Sequence, residues 1–260
     1  MTQTSDGRID LPPFYTLTVL ETTGSTNIEA LKLADAGDAE GAIVWAKRQE
    51  RGVGRRGRQW SSPEGNLYCS LVIRPECDPS SAARLSFLTA LAIRRAVSEF
   101  VNPDVDVRLK WPNDVLINGH KSAGILLESK TKPDGQMSYV IVGTGVNIAT
   151  YPEHTDGLPA ISLKKVGADV SVPEVLSAYA KAFYDLYMIW KREGFAPIRK
   201  EWLANATGLG GRITVKLSKE TLEGVFTDLD ENGALILSMD NGERKLITAG
   251  EVFIVPSART

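Results

Sequence analysis

The sequence predicts an α+β protein: a mixed sheet with flanking helices in residues 1–207, then a small SH3-like β-barrel in residues 208–260. Three observations predict it. Strand-like stretches arrive in runs, which argues against a strictly alternating parallel sheet. Long helical stretches separate those runs. After "TGLGG" (207–211) the chain turns to short apolar runs divided by the turn signals "DENG" and "DNGE".

Taken in order, "FYTLTVLET" reads as a strand and "STNIEALKLADAG" as a helix. In that helix Ile28, Leu31 and Ala34 recur at helical spacing, Thr26 and Glu29 fit a capping box, and Gly37 supplies the stop. "GAIVWA" is a strand entering a basic loop, and "NLYCSLVI" is the strand leaving it. "SSAARLSFLTALAIRRAVSEF" predicts one long amphipathic helix. Strand-like "DVRLKW", "DVLING", "SAGILLES" and "MSYVIVGTGVNI" follow, with "KPDGQ" as a turn. "SVPEVLSAYAKAFYDLYMIWKREG" is the next helix, with Ser171 and Glu174 as a second capping box, and "FAPIRKEWLANA" is a shorter one. The last four runs are "RITVKLS", "LEGVFTDL", "ALILSMD" and "RKLITAGEVFIV".

Composition excludes several classes of function. No run of about 18 apolar residues exists, so no membrane span is expected, and "MTQTSDGRIDLPPF" lacks the pattern of a secretory signal. A cytoplasmic address follows. With Cys69 and Cys77 the only cysteines, and His120 and His154 the only histidines, neither a Cys- or His-based metal site nor a Ser-His-Asp triad is favoured. Chemistry must run on Lys, Arg, Asp, Asn and backbone groups. Positive charge is local: Lys47, Arg48, Arg51, Arg55, Arg56 and Arg58 stand against Glu50 alone in residues 47–58, while the chain as a whole carries −2. Such a patch suits a small anion better than a long polyanion.

"GVGRRGRQW" (52–60) spells G-x-G-x-x-G, but the helix that a dinucleotide fingerprint requires is missing from "RQWSSPEGNLYC". No Gly-Lys pair occurs, so there is no Walker A loop either. Two readings stay open: a solvated charged turn, or a glycine-hinged loop whose N–H groups and guanidiniums meet carboxylate or phosphate. "KWPNDVLINGHKSAGILLE" (110–128) gathers Lys110, Asn113, Asp114 and Lys121, groups used in Mg²⁺-assisted phosphoryl chemistry, although "PND" is also good turn chemistry. "GTGVN", with Gly143, Gly145 and Asn147, fits tight backbone packing as well as a ligand, and "GSTN" (24–27) fits a plain N-cap as well as a binding edge.

In this order, the four stretches and the terminal "ITAGEV" resemble the biotin protein ligases over most of the chain. The resemblance implies the class II aminoacyl-tRNA-synthetase-like biotin/lipoate ligase fold and a two-step reaction. Biotin's carboxylate attacks the α-phosphate of ATP to give biotinyl-5′-AMP, and a lysine of a biotin carboxyl carrier domain then takes the acyl group. By motif match, Ser25, Thr26, Asn27 and Gln49 would meet the neutral ureido ring, with Trp60 and Gly124 enclosing ring and tail. Gly52, Val53, Gly54, Arg55 and Arg58 would hold the carboxylate and adenylate phosphate, the side chains of Arg55 and Arg58 acting in catalysis. Lys121 would stabilise the displacement. Lys110, Asn113, Asp114 and Asn147 would serve the ATP side, with Asp114 nearest Mg²⁺. The family usually has a second basic residue where this chain has Val53, so a side-chain charge there is lost.

Lipoate ligases share the catalytic fold; the intact arginine loop and the C-terminal barrel favour biotin. An RNA-binding module would need aromatic platforms and a broader basic surface, and only Trp60 lies in the loop, so no nucleic-acid partner is expected. Roughly 14 residues precede the first strand, too few for a three-helix DNA reader, which predicts a ligase of the monofunctional type. Both monomer and homodimer fit the sequence.

Overall fold

A seven-stranded mixed sheet divides the computed structural model into a thick layer and a thin one, and the thin one is where side chains run out. The described residues are 2–4, 7–155 and 157–254. The outer ends of the two expected domains, including Val255 of the last strand-like run, lie outside them.

β1 (Thr2–Thr4) and β2 (Gly7–Ile9) form an antiparallel ribbon. The main sheet is built from β3 (Thr16–Thr23), β4 (Ala42–Gln49), β5 (Leu67–Ile73), β6 (Val107–Lys110), β7 (Asp114–Ile117), β8 (His120–Thr131) and β9 (Met137–Val146). Its order is β3-β4-β5-β9-β8-β7-β6, with β3 and β4 parallel and the other neighbours antiparallel. The expected mixed sheet is present.

Successive strand residues face opposite sides, and here each side has its own core. Trp45, Cys69, Leu71, Val142 and Ile125 point to the thick layer, which α3 (Leu85–Ser98), α4 (Val172–Glu193) and α5 (Ala196–Ala204) cover. Val44, Val72, Tyr139 and Ile141 point the other way, against Ala30 and Ala34 of α1 (Thr26–Ala36). α1 covers only part of that face. Beyond its N-terminus the sheet is open.

Several local expectations hold for stated reasons. Gly37 ends α1 in the left-handed region at φ 95°, and Ser171 and Glu174 form the capping box that starts α4. Others are corrected. No capping box joins Thr26 to Glu29: Ser25 is the N-cap residue, and the Thr26 N–H and hydroxyl both donate to Gln49 Oε1, at 2.8 and 3.0 Å. A side chain from a neighbouring strand has taken over the cap. The buried stripe of α1 runs through Asn27, Ala30 and Ala34, whereas Ile28 is 47% exposed. Alanines let the helix lie close to the sheet, and hydrogen bonds draw Asn27 inward. The long helix expected from residue 80 is broken into α2 (Pro79–Ala83), capped by Asp78, and α3.

The C-terminal runs form an antiparallel five-stranded sheet, order β13-β12-β11-β10-β14, of the small SH3-like kind expected. Its strands are β10 (Arg212–Lys216), β11 (Thr221–Leu229), β12 (Leu235–Ser238), β13 (Arg244–Ile247) and β14 (Glu251–Ile254). "RKLITAGEVFIV" supplies two of these strands, which gives five in all, within the four or five expected. Hydrogen bonds from Trp111 Nε1 to Gly233 O (3.0 Å) and from Arg84 to Asn232 (2.7 Å) tie this sheet to the large domain.

Replacing Ser171 with Ala removes the reciprocal cap of a 22-residue helix. Urea unfolding should show a loss of about 1 kcal/mol. Glu174 has its pKa lowered by its hydrogen bonds to Ser171. This part of the stability is therefore present above the ordinary carboxylate range and fades as pH falls through it. The gap between wild type and Ser171→Ala should shrink in acid; a gap independent of pH would remove Glu174 from the cap.

Candidate active site

On the open face, residues 124, 126 and 128 of β8 stand beside 145, 143 and 141 of β9. Glycine occupies 124, 143 and 145. A Cβ on Gly145 would lie 2.6 Å from Trp60 Nε1, one on Gly124 3.1 Å from the same indole, and one on Gly143 would collide with the Asn27 amide. The missing side chains create a floor on which Trp60 and Asn27 lie. Over it opens a cavity of about 620 Å³ that reaches from Asn27 and Thr26 to Lys110 and Glu251.

One end of the cavity is polar and uncharged at its wall. Gln49 Oε1 accepts from Thr26, and Gln49 Nε2 donates to Ser62 Oγ at 3.0 Å. Ser70 Oγ sits 2.7 Å from Thr26 Oγ1 and 2.6 Å from Asn27 Oδ1, and Asn27 Nδ2 donates to Glu128 Oε2 at 2.6 Å. Thr26, Asn27 and Ser70 are buried, so these bonds satisfy groups that water does not reach.

The other end is cationic. Lys110 and Asp114 face each other across the β6–β7 hairpin, and Asp114 pairs with Gly124 of β8. Lys121 Nζ lies 2.6 Å from Asp114 Oδ1, Lys110 Nζ lies 3.9 Å from Asp114 Oδ2, and Lys121 Nζ stands 5.5 Å from the centre of the Trp60 ring. The Lys121 backbone is held from both sides by Pro159 O and the Ile161 N–H. Burial lowers the Lys110 pKa; Asp114 opposes that shift, and Lys121 adds to it. Arg55 is lowered for the same first reason, burial, with Asp114 opposing.

Residues 52–60 form a short hairpin closed by Trp60 N–H to Gly52 O (2.9 Å) and by a bridge between Val53 and Gln59. Arg56 takes a positive φ of 58° at its tip. Two arginines anchor it. Arg55 donates to Asn113 Oδ1 at 3.0 Å, and Arg58 makes a bidentate pair with Glu251 at 3.0 and 2.8 Å. Glu251 begins β14, so the small C-terminal sheet supplies part of the wall. The Arg58 hydrogen bonds hold the Glu251 pKa below the usual carboxylate range.

The arrangement joins a hydrogen-bonding recess to a positively charged centre in which Lys110 is buried. Such a site can bring a neutral head group and two anions together. Residues 19–147 match the pattern of the Biotin/lipoate A/B protein ligase family, and residues 208–255 match the Biotin protein ligase C terminal domain. The biotin–[acetyl-CoA-carboxylase] ligase of Paracoccus denitrificans is 43% identical over 90% of this chain and 99% of its own length. The chain belongs to the biotin protein ligase family. The bifunctional ligase/repressor BirA of Bacillus subtilis (strain 168) is 33% identical over 86% of this chain and 70% of its own. Among solved structures, the biotin protein ligase from Aquifex aeolicus in complex with biotin and ATP superimposes with a TM-score of 0.78 at 27% identity. That match covers 94% of this chain and all of the other.

In this member of the family, Ser25, Thr26, Asn27, Gln49, Val53, Gly54, Arg55, Arg58, Trp60, Lys110, Asn113, Asp114, Lys121, Gly124 and Asn147 all line the one cavity. Gly52 does not. It sits behind the hairpin, where a side chain would strike the Trp60 carbonyl and Ser62 Oγ. The Asn147 side chain is largely committed, donating to Ile161 O (3.2 Å) and Lys121 O (3.5 Å), and so clamps the segment that carries Lys121. The alternatives of tight packing and ligand contact at "GTGVN" merge: its glycines pack against side chains that line the cavity. Sequence reasoning missed Ser70, Glu128 and Glu251. "ITAGEV" was a visible signal for Glu251, but its partner Arg58 is 193 residues away.

Glu251→Ala should loosen the hairpin without unfolding either sheet. Arg58 is half exposed, so the pair is worth at most about 1 kcal/mol, and amide exchange at 53–59 should quicken by no more than about five-fold. Unchanged exchange there, with faster exchange in β10–β14, would mean that the pair stabilises only the C-terminal sheet.

Proposed function

We propose that the chain is an ATP-dependent ligase that activates biotin as biotinyl-5′-AMP and transfers it to a lysine of a biotin carboxyl carrier domain in the cytoplasm. The observation that carries this reading is the single cavity linking the Thr26–Asn27–Gln49 recess to Lys121, Lys110 and Arg55. The relative with 43% identity acts in its name on acetyl-CoA carboxylase, and the Aquifex aeolicus relative is described with biotin and ATP bound.

In the first step a biotin carboxylate oxygen attacks the α-phosphorus and the bond to pyrophosphate breaks. Two anions must approach. In the proposed roles, Lys121 and Arg55 offset their repulsion with charge that is already in place and needs no reorganisation. Arg58 meets the phosphate once the anion competes with Glu251 for its guanidinium. Asn113 and Lys110 orient the ATP side, Trp60 and the glycine floor enclose the acyl chain, and hairpin backbone at Val53 and Gly54 covers it. In the second step the carrier amine attacks the acyl carbon, an amide forms, AMP leaves, and the amine proton goes to solvent or to a released phosphate oxygen.

Mg²⁺ fits this donor set in a limited way. No group of three or more His, Cys, Asp or Glu capable of holding a metal occurs among the described residues, and Asp114 is already matched by two ammonium groups. The ion suits a role in which ATP phosphates supply most ligands, with Asp114 as the protein carboxylate beside them. Bound there, it would neutralise phosphate charge.

Biotin should support exchange of labelled pyrophosphate into ATP, in a Mg²⁺-dependent manner. Exchange driven by lipoate and not by biotin would overturn the assignment. Lys121→Ala should lower the exchange kcat by on the order of 10²-fold, because it removes charge aimed at the transition state. Wild-type exchange in that variant would leave Lys121 as a structural partner of Asp114.

A further inference from the structure

Asn27 and Gln49 are the two amides of the recess, and an amide can present either its oxygen or its nitrogen to a given neighbour. What each presents inward depends on what pins it from outside. Gln49 is pinned by Ser62: the Ser62 hydroxyl donates to Trp60 O at 2.9 Å, so its oxygen is left to accept from Gln49 Nε2. Gln49 Oε1 is thereby turned toward Thr26. Asn27 has no such neutral partner. Its outward neighbour is Glu128, an exposed carboxylate on β8, two residues beyond the pocket-lining Leu126 and on the same face of the strand.

An ionised carboxylate only accepts. Glu128 therefore takes the Asn27 NH₂ group and turns Oδ1 toward Ser70. Were Asn27 flipped, two acceptors would meet at 2.6 Å. With Oδ1 facing it, the single Ser70 proton is drawn to Asn27 and away from Thr26 Oγ1. The Thr26 proton then has two acceptors to choose between, Ser70 Oγ and Gln49 Oε1. In the flipped arrangement every proton of the chain would run the other way, from Asn27 through Ser70 and Thr26 to Gln49, and Gln49 Oε1 would be saturated.

We infer that Glu128, outside the cavity, sets the hydrogen-bond polarity of the recess and is thereby a positioning and specificity-determining residue for the cyclic head group of the substrate. By fixing Asn27 it frees the Thr26 hydroxyl to turn from Gln49 Oε1 to Ser70 Oγ when substrate enters, so that Oε1, still holding the Thr26 N–H, can accept from a ring N–H, and it leaves one Asn27 N–H to donate to a ring carbonyl. A cyclic urea offers both an N–H and a carbonyl. A dithiolane ring offers neither and gains nothing from the ordering. The inference rests on the reading of this recess as the head-group site.

The test is steady-state pyrophosphate exchange with Glu128→Gln, Glu128→Ala, Glu128→Lys and Asn27→Ala, with biotin and ATP varied separately. Glu128 is exposed, so the variants should melt with the wild type. Glu128→Gln keeps an acceptor and should keep the biotin KM within about three-fold. Glu128→Ala should raise it by about ten-fold, and Glu128→Lys, which puts a donor against the Asn27 NH₂, by more. For the three Glu128 variants the ATP KM and kcat should stay within about two-fold. A biotin KM that does not follow the order Gln, Ala, Lys, or a kcat that falls in step with melting temperature, would overturn the inference. Asn27→Ala separates the two readings. If it raises the biotin KM and Glu128→Ala does not, only the role of Glu128 fails. If Asn27→Ala leaves the biotin KM unchanged, the head-group site itself is misplaced.

Discussion

Positive charge held out of water without enough negative charge beside it is the constraint around which this protein is organised. Lys110 is 6% exposed, and Arg55 and Lys121 crowd the same carboxylate, Asp114. An ammonium group taken out of water is costly unless an anion meets it. Asp114 and Glu251 supply two charges for four cations, Lys110, Lys121, Arg55 and Arg58. The rest of the large domain can be seen as the means of keeping them there: the β6–β7 hairpin sets Lys110 across from Asp114, β8 brings Lys121, and Asn147 clamps the segment behind it.

The second requirement is room, and the sheet provides it by omission. A largely antiparallel sheet can leave part of one face uncovered. Here α1 stops short, and beyond its N-terminus three positions on adjacent strands carry no side chain. Trp60 settles onto that bare patch from the hairpin side and Asn27 from the helix side. Charge and space meet at the Gly124–Gly145 pair, next to Asp114 in the register. The C-terminal sheet is joined to the same centre through Arg58 and Glu251, so the hairpin is anchored at both ends of the site.

Much of this was legible in the sequence because it is local. Period-two runs marked the strands, Gly37 and the Ser171–Glu174 pair marked helix ends, and the residues of four motifs proved to share one cavity. What was not legible is long-range. Gln49, from a strand, replaces the expected cap of α1, and no pattern within residues 24–37 reports that. The inward turn of Asn27 and the exposure of Ile28 follow from Ser70 and Glu128, which lie 43 and 101 residues away from Asn27. Gly52 falls in the ligand-binding loop by motif match to the family, yet its lack of a side chain serves the closure of the hairpin. Periodicity reports which residues are apolar, not which polar residues a distant partner will bury.

The most direct measure of the central claim is proton uptake on binding a non-hydrolysable analogue of biotinyl-5′-AMP. Burial holds the Lys110 pKa below that of an ordinary lysine, and an arriving phosphate must raise it. At a pH just below the ordinary lysine range, calorimetry in buffers of different ionisation enthalpy should therefore register protons taken up from solution, and Lys110→Ala should abolish most of that uptake. Binding heats that are independent of buffer, with unchanged affinity in Lys110→Ala, would mean that the buried cations are not held in wait for an anion.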